Sequence, residues 1–452
     1  MSNTETKKVV LSADGPYEVQ NYGTAVAKLA LCSLFGIVFF FVPLFDGSTP
    51  LMFVLDAIEA ALGRGKDVMV VVCNIFMMFM IPFGKKIPFL KSYVEHDGIA
   101  SKVLYVLGSI FGVLVFLEIG PDWFLSGDTG ALALSLAGDC LLTILVAGIF
   151  VTFIANFGIL HMVGTFLEPL CRPVYKLPGY AAVDAATSIA CSAAVDVFLA
   201  NKIYLNGLYT KRDVAIVASN FTICSLGFFV LLCDIVGYPE MYGPVMLCSF
   251  GICFIMPLFT SRIPPLSKIP NEYVDGTPFD PSTEKKSDVP LFRRSWEHGI
   301  AAADEATLSM IVEGAIQSVI FSIKVCTYVM SIATIATVLG CYTPLFTWLG
   351  IPFAPILSLL GVPEASAIAP CCLIGISEIA MPALLIADQA VPQAAAFFVV
   401  VLSTVQVIFF TESANAIMES DIPLNLVDLI IIFLERTIIA MPMIAVIMHL
   451  LY

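Results

Sequence analysis

Charge is scarce in this sequence. Only 13% of its 452 residues are Asp, Glu, Lys or Arg, against ~25% in a typical soluble domain. Hydrophobic residues make up 59% and the mean hydropathy is +0.94. A chain of this length and composition has too few polar groups to cover its apolar surface in water. A soluble globular protein is thereby excluded, and a polytopic protein whose partner is the lipid bilayer is indicated. Basic residues are the scarcer sign: 22 Lys and Arg stand against 36 Asp and Glu, a net charge of −14. That balance excludes nucleic acid as a partner, since such binding rests on basic patches. Between Val325 and Tyr452 the only Lys or Arg is Arg436.

Other absences narrow the chemistry. The 13 cysteines include no Cys-x-x-Cys pair and mostly lie in apolar runs, where they read as small reduced core residues. The four histidines, His96, His161, His298 and His449, are far apart, so no metal site is indicated and no cofactor is expected. No Gly-x-x-x-x-Gly-Lys loop is present, which removes ATP as a driving ligand. No nucleophile and base stand in a recognisable constellation, so the chain does not read as an enzyme. The first ~24 residues are polar with Lys7 and Lys8 and lack a signal-peptide pattern.

What is present is a series of apolar runs. Spans are predicted over 25–45, 68–83, 103–119, 132–160, 213–237, 243–261, 307–340, 393–418 and 425–451. Segment 50–63 is short and amphipathic. Segments 180–208 and 363–390 are rich in Ala, Ser and Gly, too long and too polar for single spans, and suit re-entrant hairpins of two half-helices. Such backbone is tolerated at membrane depth only inside protein or beside water. The polar stretch 262–305 reads as a linker between two halves. The organisation is thus an N-terminal region (1–130), a first repeat (131–261), the linker (262–305) and a second repeat (306–452).

Positive charge orients the path. Lys7, Lys8 and Lys28 put the N-terminus in the cytoplasm, with Lys85, Lys86, Lys91 and Lys102, then Arg172 and Lys176, then Lys202, Lys211 and Arg212, and finally Arg262, Lys268, Lys285, Lys286, Arg293 and Arg294 on the same side. Arg64 and Lys66 dissent, because this path leaves them outside. The second hairpin has no base near it, and Glu364 and Asp388 sit at its ends. It is therefore expected to be rooted outside.

The halves echo one another. Thr165-Phe-Leu-Glu-Pro-Leu-Cys-Arg-Pro173 and Thr347-Trp-Leu-Gly-Ile-Pro-Phe-Ala-Pro355 align, and beyond them Ser192 falls on Ser377 and Leu199 on Leu384. With opposite hairpin roots, the expected fold is an all-α polytopic membrane protein of two inverted repeats with re-entrant hairpins and broken helices, a recurrent transporter plan.

The strongest single signal is Gly375-Ile-Ser-Glu-Ile-Ala-Met-Pro382, which sets Glu378 in an almost uncharged segment. Glu412, in Phe409-Phe-Thr-Glu-Ser-Ala-Asn415, is the second. A carboxylate at membrane depth is costly unless it faces a cavity, a partner or a ligand. Asn156, Asp184 and Asp196 are further polar groups within apolar or hairpin segments. Arg436, beside Glu435, is expected to pair with a carboxylate.

The Gly375–Pro382 segment resembles the Gly-x-Thr-Glu-Ala-Pro hairpin motif of concentrative nucleoside transporters, and the chain is similar to nucleoside-recognition, or Gate-domain, membrane proteins of the YjiH type over roughly 140–250 and 320–452. Here three residues separate Glu from Pro, where the motif has one. The resemblance implies that Ser377 and Glu378 contact a nucleoside. Glu412-Ser413-Ala-Asn415 loosely resembles the family's Asn-Glu motif in a later broken helix. The substrate-site candidates are Ser377, Glu378, Glu412, Ser413, Asn415, Ser192, Asp196 and Asn156. The expected function is secondary-active transport of a small polar metabolite, a nucleoside favoured, across the bacterial cytoplasmic (inner) membrane, coupled to Na+ or H+. An amino-acid or short-peptide carrier of the same fold is the alternative, and a membrane scaffold recruiting a partner through 262–305 the other. Such folds commonly form homo-oligomers, and no motif decides this.

Overall fold

The structure is a computed structural model that describes the whole chain except residues 1–7, 13–14, 43, 45–48, 85–98, 191, 281–288, 388 and 390. Of the residues used above, Lys7, Lys85, Lys86, Lys91, His96, Lys285, Lys286 and Asp388 lie outside the described residues.

The polar N-terminal segment contains a β-hairpin, which the sequence reading did not foresee. β1 (Lys8–Ser12) pairs antiparallel with β2 (Gly15–Val19), with Val10 opposite Tyr17. Four helices follow: α1 (Tyr22–Phe41), α2 (Pro50–Leu62), α3 (Gly65–Phe83) and α4 (Ile99–Phe116). Their starts follow local rules. The Asn21 side chain accepts from Thr24 N–H before α1, and Thr49 caps α2 with Pro50 in the first helical position.

The stretch read from sequence as the first repeat begins with α5 (Gly130–Ala155) and α6 (Ile159–Tyr175). Hairpin 1 consists of α7 (Ala181–Ala190) and α8 (Ala193–Leu205). Then come α9 (Lys211–Asn220), α10 (Leu226–Ile235) and α11 (Tyr242–Ile255). α12 (Leu291–Glu305) lies in the polar stretch. The stretch read from sequence as the second repeat opens with α13 (Leu308–Tyr328), which passes through a π turn at Val329–Ala333 into α14 (Thr334–Tyr342). After short helical turns, hairpin 2 carries α15 (Cys371–Ile374) and α16 (Met381–Ala387). The chain continues with α17 (Gln393–Gln406), α18 (Ser413–Glu419) and α19 (Leu426–Leu451).

Apart from the small β-hairpin this is an all-α polytopic architecture. Among the described residues, six helical stretches are long and apolar enough to cross a bilayer: Tyr22–Phe41, Gly65–Phe83, Asp122–Ala155, Pro239–Thr260, Leu308–Tyr342 and Leu426–Leu451. At 1.5 Å per residue, ~20 residues match a hydrocarbon core of ~30 Å. Large apolar side chains stand exposed along them, among them Leu31, Val72 and Leu247. In water such surface is a liability; against lipid it is the expected facing.

Two expected spans are broken. Segment 213–237 divides into α9 and α10, with irregular backbone at 221–225, and 393–418 divides into α17 and α18 around 407–412. Hydropathy reports composition and not backbone path, and both breaks are as apolar as a helix would be. The polar stretch 262–305 is also more than a linker. Thr210 donates to Asn271 at 2.8 Å, Lys211 pairs with Glu272, and α12 packs on α6, α1 and the β-hairpin. Tyr17 O–H and Gln20 N–H both donate to Asp304 in α12.

Close approach of helices relies on small residues. A Cβ on Gly148 of α5 would lie 2.3 Å from Ser318 Oγ of α13, and that hydroxyl donates to Ile144 O at 2.7 Å. Gly158, between α5 and α6, has φ +98 and would put a Cβ 2.2 Å from Gly299 O of α12, so a side chain is excluded there twice over.

The bundle has two ends. The β-hairpin, α6, α12, the root of hairpin 1 and segment 262–280 gather at one. At the other, Tyr342 meets Ser126, Tyr238 O–H donates to Val391 O at 3.1 Å, and Gln393 donates to Glu240 at 2.9 Å. The last two contacts hold the root of hairpin 2 to the start of α11, whereas segment 262–280 follows the end of that stretch. The two hairpins therefore enter from opposite ends.

Candidate functional site

Each repeat ends a half-helix near mid-bundle, and the freed carbonyls need partners. Arg436 of α19 supplies many of them. Its guanidinium, 0% exposed, donates to Val405 O at 2.9 and 2.6 Å, to Ser219 O at 3.3 Å and to Asn220 Oδ1 at 2.8 Å. These acceptors lie at the C-terminal ends of α9 and α17, where the helix dipole favours a cation. Arg436 thus bridges two backbone breaks, where the sequence reading expected a carboxylate partner. Adjacent Glu435 does not take it, because neighbouring residues on a helix point to different faces.

Side chains near each break complete the backbone. Ser188 Oγ of hairpin 1 donates to Ile223 O at 2.7 Å. Ser413 Oγ donates to Val407 O at 2.7 Å and accepts from Phe409 N–H at 3.0 Å. Asn415 Nδ2 donates to Phe410 O, and Phe410 N–H donates to Ile376 O of hairpin 2 at 2.8 Å.

Where the breaks meet the hairpin tips there is a cavity of about 190 Å3. α5 contributes Leu136, Asp139, Cys140 and Thr143; hairpin 1, Ser192 and Ala193; the first break and α10, Cys224, Ser225 and Phe228; hairpin 2, Glu378 and Ile379; the second break, Phe409, Thr411 and Glu412. Three carboxylates line it and no Lys, Arg or His does. Glu378 is 5% exposed, accepts from Ala380 N–H at 3.3 Å and takes the Thr411 hydroxyl on its other oxygen. Glu412 reaches across to hairpin 1, where it accepts from Ala194 N–H at 3.0 Å, in the first turn of α8. Asp139 is held by Lys66 Nζ at 2.7 Å, and the same ammonium meets Glu59 of α2. Lys66 is thus a buried internal partner, which explains why it failed as a topological marker.

The structure brings three of the eight sequence candidates, Glu378, Glu412 and Ser192, to one cavity. The other five do not line it. Ser377 is fully buried, with its hydroxyl unbonded among the described residues. Ser413 and Asn415 hold the second break together. Asn156 ends α5, far along that helix from Thr143. Asp196 is inside hairpin 1 with both oxygens unbonded among the described residues. Sequence reasoning missed Asp139, Thr143, Cys140, Cys224, Ser225 and Thr411. Asp139 was findable, as a lone acid inside the apolar run 132–160. The others are small residues in apolar runs and carry no signal of their own.

Acceptor carboxylates, four hydroxyls (Thr143, Ser192, Ser225, Thr411) and two phenyl walls (Phe228, Phe409) make a site for a ligand rich in O–H or N–H donors with one flat or apolar face.

The family model described as Gate, nucleoside recognition, matches residues 139–238, from the middle of α5 through both arms of hairpin 1 and the first broken helix. Among solved structures the chain is similar to two CNTnw variants in outward-facing states, with TM-scores of 0.42 and 0.44 at 10% and 13% identity, covering 94% and 93% of this chain and 99% of each of theirs. A likeness of that size establishes neither fold nor activity. A protein of Alkalihalophilus pseudofirmus described as uncharacterized is 30% identical over 98% of both chains. The chain belongs to the family of that protein, and within it is a membrane protein carrying the Gate, nucleoside-recognition domain.

Proposed function

We propose that this protein is a secondary-active transporter of a small polar metabolite, with a nucleoside as the favoured cargo. The observation that carries this reading is the cavity itself: two hairpin tips and two helix breaks converge on one acid-lined space. Discontinuous helices at mid-membrane are how carriers expose backbone and polar side chains to cargo. The hairpins' entry from opposite ends, and the repeated order of hairpin then broken helix, support two inverted repeats. At about 190 Å3 the cavity falls below the ~300–1,000 Å3 of drug-sized pockets, which favours a compact cargo over a peptide. Glu378 and Glu412 accept hydrogen bonds from cargo hydroxyls, and Phe228 and Phe409 flank its flat face. Coupling to Na+ or H+ drives uphill movement by alternating access, in a bacterial cytoplasmic membrane with the N-terminus inside.

The test is thermal stability of the detergent-purified protein with nucleosides, amino acids and dipeptides, followed by uptake in proteoliposomes. A ligand at 100 times its Kd stabilises by about 2.7 kcal/mol. A nucleoside-dependent rise is expected. Glu378→Gln removes a charged acceptor worth about 1.5–3 kcal/mol, so binding and uptake should fall roughly tenfold or more. Unchanged uptake in that variant sinks the site. A rise with amino acids alone keeps the carrier and discards the nucleoside, and silence in binding and flux discards the carrier.

A further inference from the structure

Hairpin 1 holds two carboxylates that the cavity does not use. Asp184 of α7 and Asp196 of α8 are both 0% exposed. Asp184 accepts from the phenol of Tyr209, itself fully buried, and its second oxygen has no partner among the described residues. Asp196 is a separate observation: both its oxygens are buried and unbonded among the described residues. A bare, ionised carboxylate in such surroundings costs several kcal/mol.

Among the described residues no base relieves that cost. On α8 itself Lys202 donates to Thr152 at 3.0 Å. α5 brings Asp139, which faces Lys66, and α18 brings Glu412, which sits on Ala194 N–H. α6 brings His161 against Tyr180, and Arg172 against Glu168. α9 brings Asp213, which caps its own helix at Thr210, and α1 brings Lys28, which donates to Ala306 O. Asp196 does lie in the first turn of α8, where a negative charge is favoured. The Ala194 amide of that turn, however, already serves Glu412.

We propose that Asp184 and Asp196 form a proton-binding site within hairpin 1, distinct from the cavity carboxylates. In the conformation described, a proton on Asp196 keeps it uncharged, with the Asp184 carboxyl buried in the same hairpin. A proton suits this place better than a metal cation, because among the described residues no three acidic, His or Cys side chains gather to hold one. The site lies next to the Glu412 latch. Loss of the proton puts a negative charge within the turn that binds Glu412, and the two anions then compete for one helix end. Proton release thereby loosens the tip of hairpin 1 from the second repeat. That this drives cargo movement rests on the transport reading; the site itself does not.

The test uses the full chain in detergent without cargo, so it succeeds or fails independently of transport. Infrared difference spectra at neutral pH compare the natural protein with Asp196→Asn and Asp184→Asn. The expected result is a protonated-carboxyl stretching band that Asp196→Asn removes. Asparagine mimics the protonated acid, so the fold should persist. A site that holds a proton when folded and loses it on unfolding costs stability as pH rises, so the thermal midpoint should fall as pH rises above about 4, the free Asp value, until the folded site itself releases its proton, and should stay flatter in Asp196→Asn. An identical band in that variant overturns the proposal. So does a stabilisation by Na+ that Asp196→Asn abolishes while the band is unchanged. If neither variant folds, absence of any protonated-carboxyl band in the natural protein overturns it as well.

Discussion

Hairpin 1 and hairpin 2 solve the same problem differently. Both bring a re-entrant turn to the cavity with a carboxylate against a backbone amide. In hairpin 2 the acid is its own: Glu378 accepts from Ala380 N–H, two residues along. In hairpin 1 the acid is borrowed: Glu412 reaches Ala194 N–H from the other repeat. Hairpin 2 is thus completed within its own repeat, also receiving a backbone bond from Phe410 to Ile376 O. Hairpin 1 has bonds within its own half, from Ser188 to Ile223 O and from Tyr209 to Asp184, but the acid on its tip amide comes from the other half. The lesson is that the very tip of hairpin 1 is latched by a carboxylate from the other half, through Glu412 on Ala194 N–H, while Asn201 and Asp421 tie its second arm to the same half further along.

Three experiments break or sharpen that contrast. Arg436→Met acts on both repeats at once, because it strips partners from Val405, Ser219 and Asn220. Each buried acceptor left without a donor costs about 1–3 kcal/mol and several are bared together, so the largest loss of thermal stability is expected here; a loss under about 1 kcal/mol would show that the breaks hold themselves. Glu412→Ala acts on hairpin 1 alone. It leaves the Ala194 amide bare at a cost of about 1–3 kcal/mol, and hydrogen exchange should speed up at 192–196 while 375–380 stays protected. Equal acceleration in both hairpins would erase the distinction.

The smallest effect lies at the root of hairpin 1. His161 in α6 faces Tyr180 with ring centroids 5.9 Å apart, and its Nδ1 is buried without a partner among the described residues. Burial, then the nearby His298, pushes its pKa down from 6.5 to about 4. The folded state therefore prefers the neutral ring. Stability is intact above about pH 6.5 and declines as pH falls towards 4, where the unfolded chain binds the proton first. A drop of a few degrees in thermal midpoint by about pH 5 is expected, and His161→Gln should blunt it.

Much of this architecture was legible in the sequence because bilayers impose strong rules on composition. Ala-, Ser- and Gly-rich stretches at 180–208 and 363–390 announced hairpins, and lone acids at 378 and 412 announced the cavity. The two helix breaks were not legible as such, since the first is stabilised by Ser188 and both by Arg436, far away in sequence, while Ser413 and Asn415, which hold the second locally, look like ordinary small polar residues in an apolar run. Arg436 illustrates the limit. A base in an apolar run signals that something anionic or electron-rich is near, but adjacency to Glu435 suggested the wrong partner. Helical geometry turns neighbouring side chains apart, and the carbonyl ends of two other helices took its place. Lys66 misled in the same way, because a charge used internally looks in sequence like a charge used for orientation.

Arg436 also sets an order of events during synthesis. The carbonyls it ties at Ser219 and Val405 are made before it, the former by roughly two hundred residues, or about 10–40 s at ~5–20 residues per second. Through that interval the first broken helix sits in the membrane with an open end and no cation to close it. The nascent first repeat must therefore wait, half-finished, for the last helix to arrive. Membrane insertion factors that shelter polar backbone would find their longest task there, and a ribosome stalled before α19 would leave a product with all its hairpins and no cation at the ends of α9 and α17.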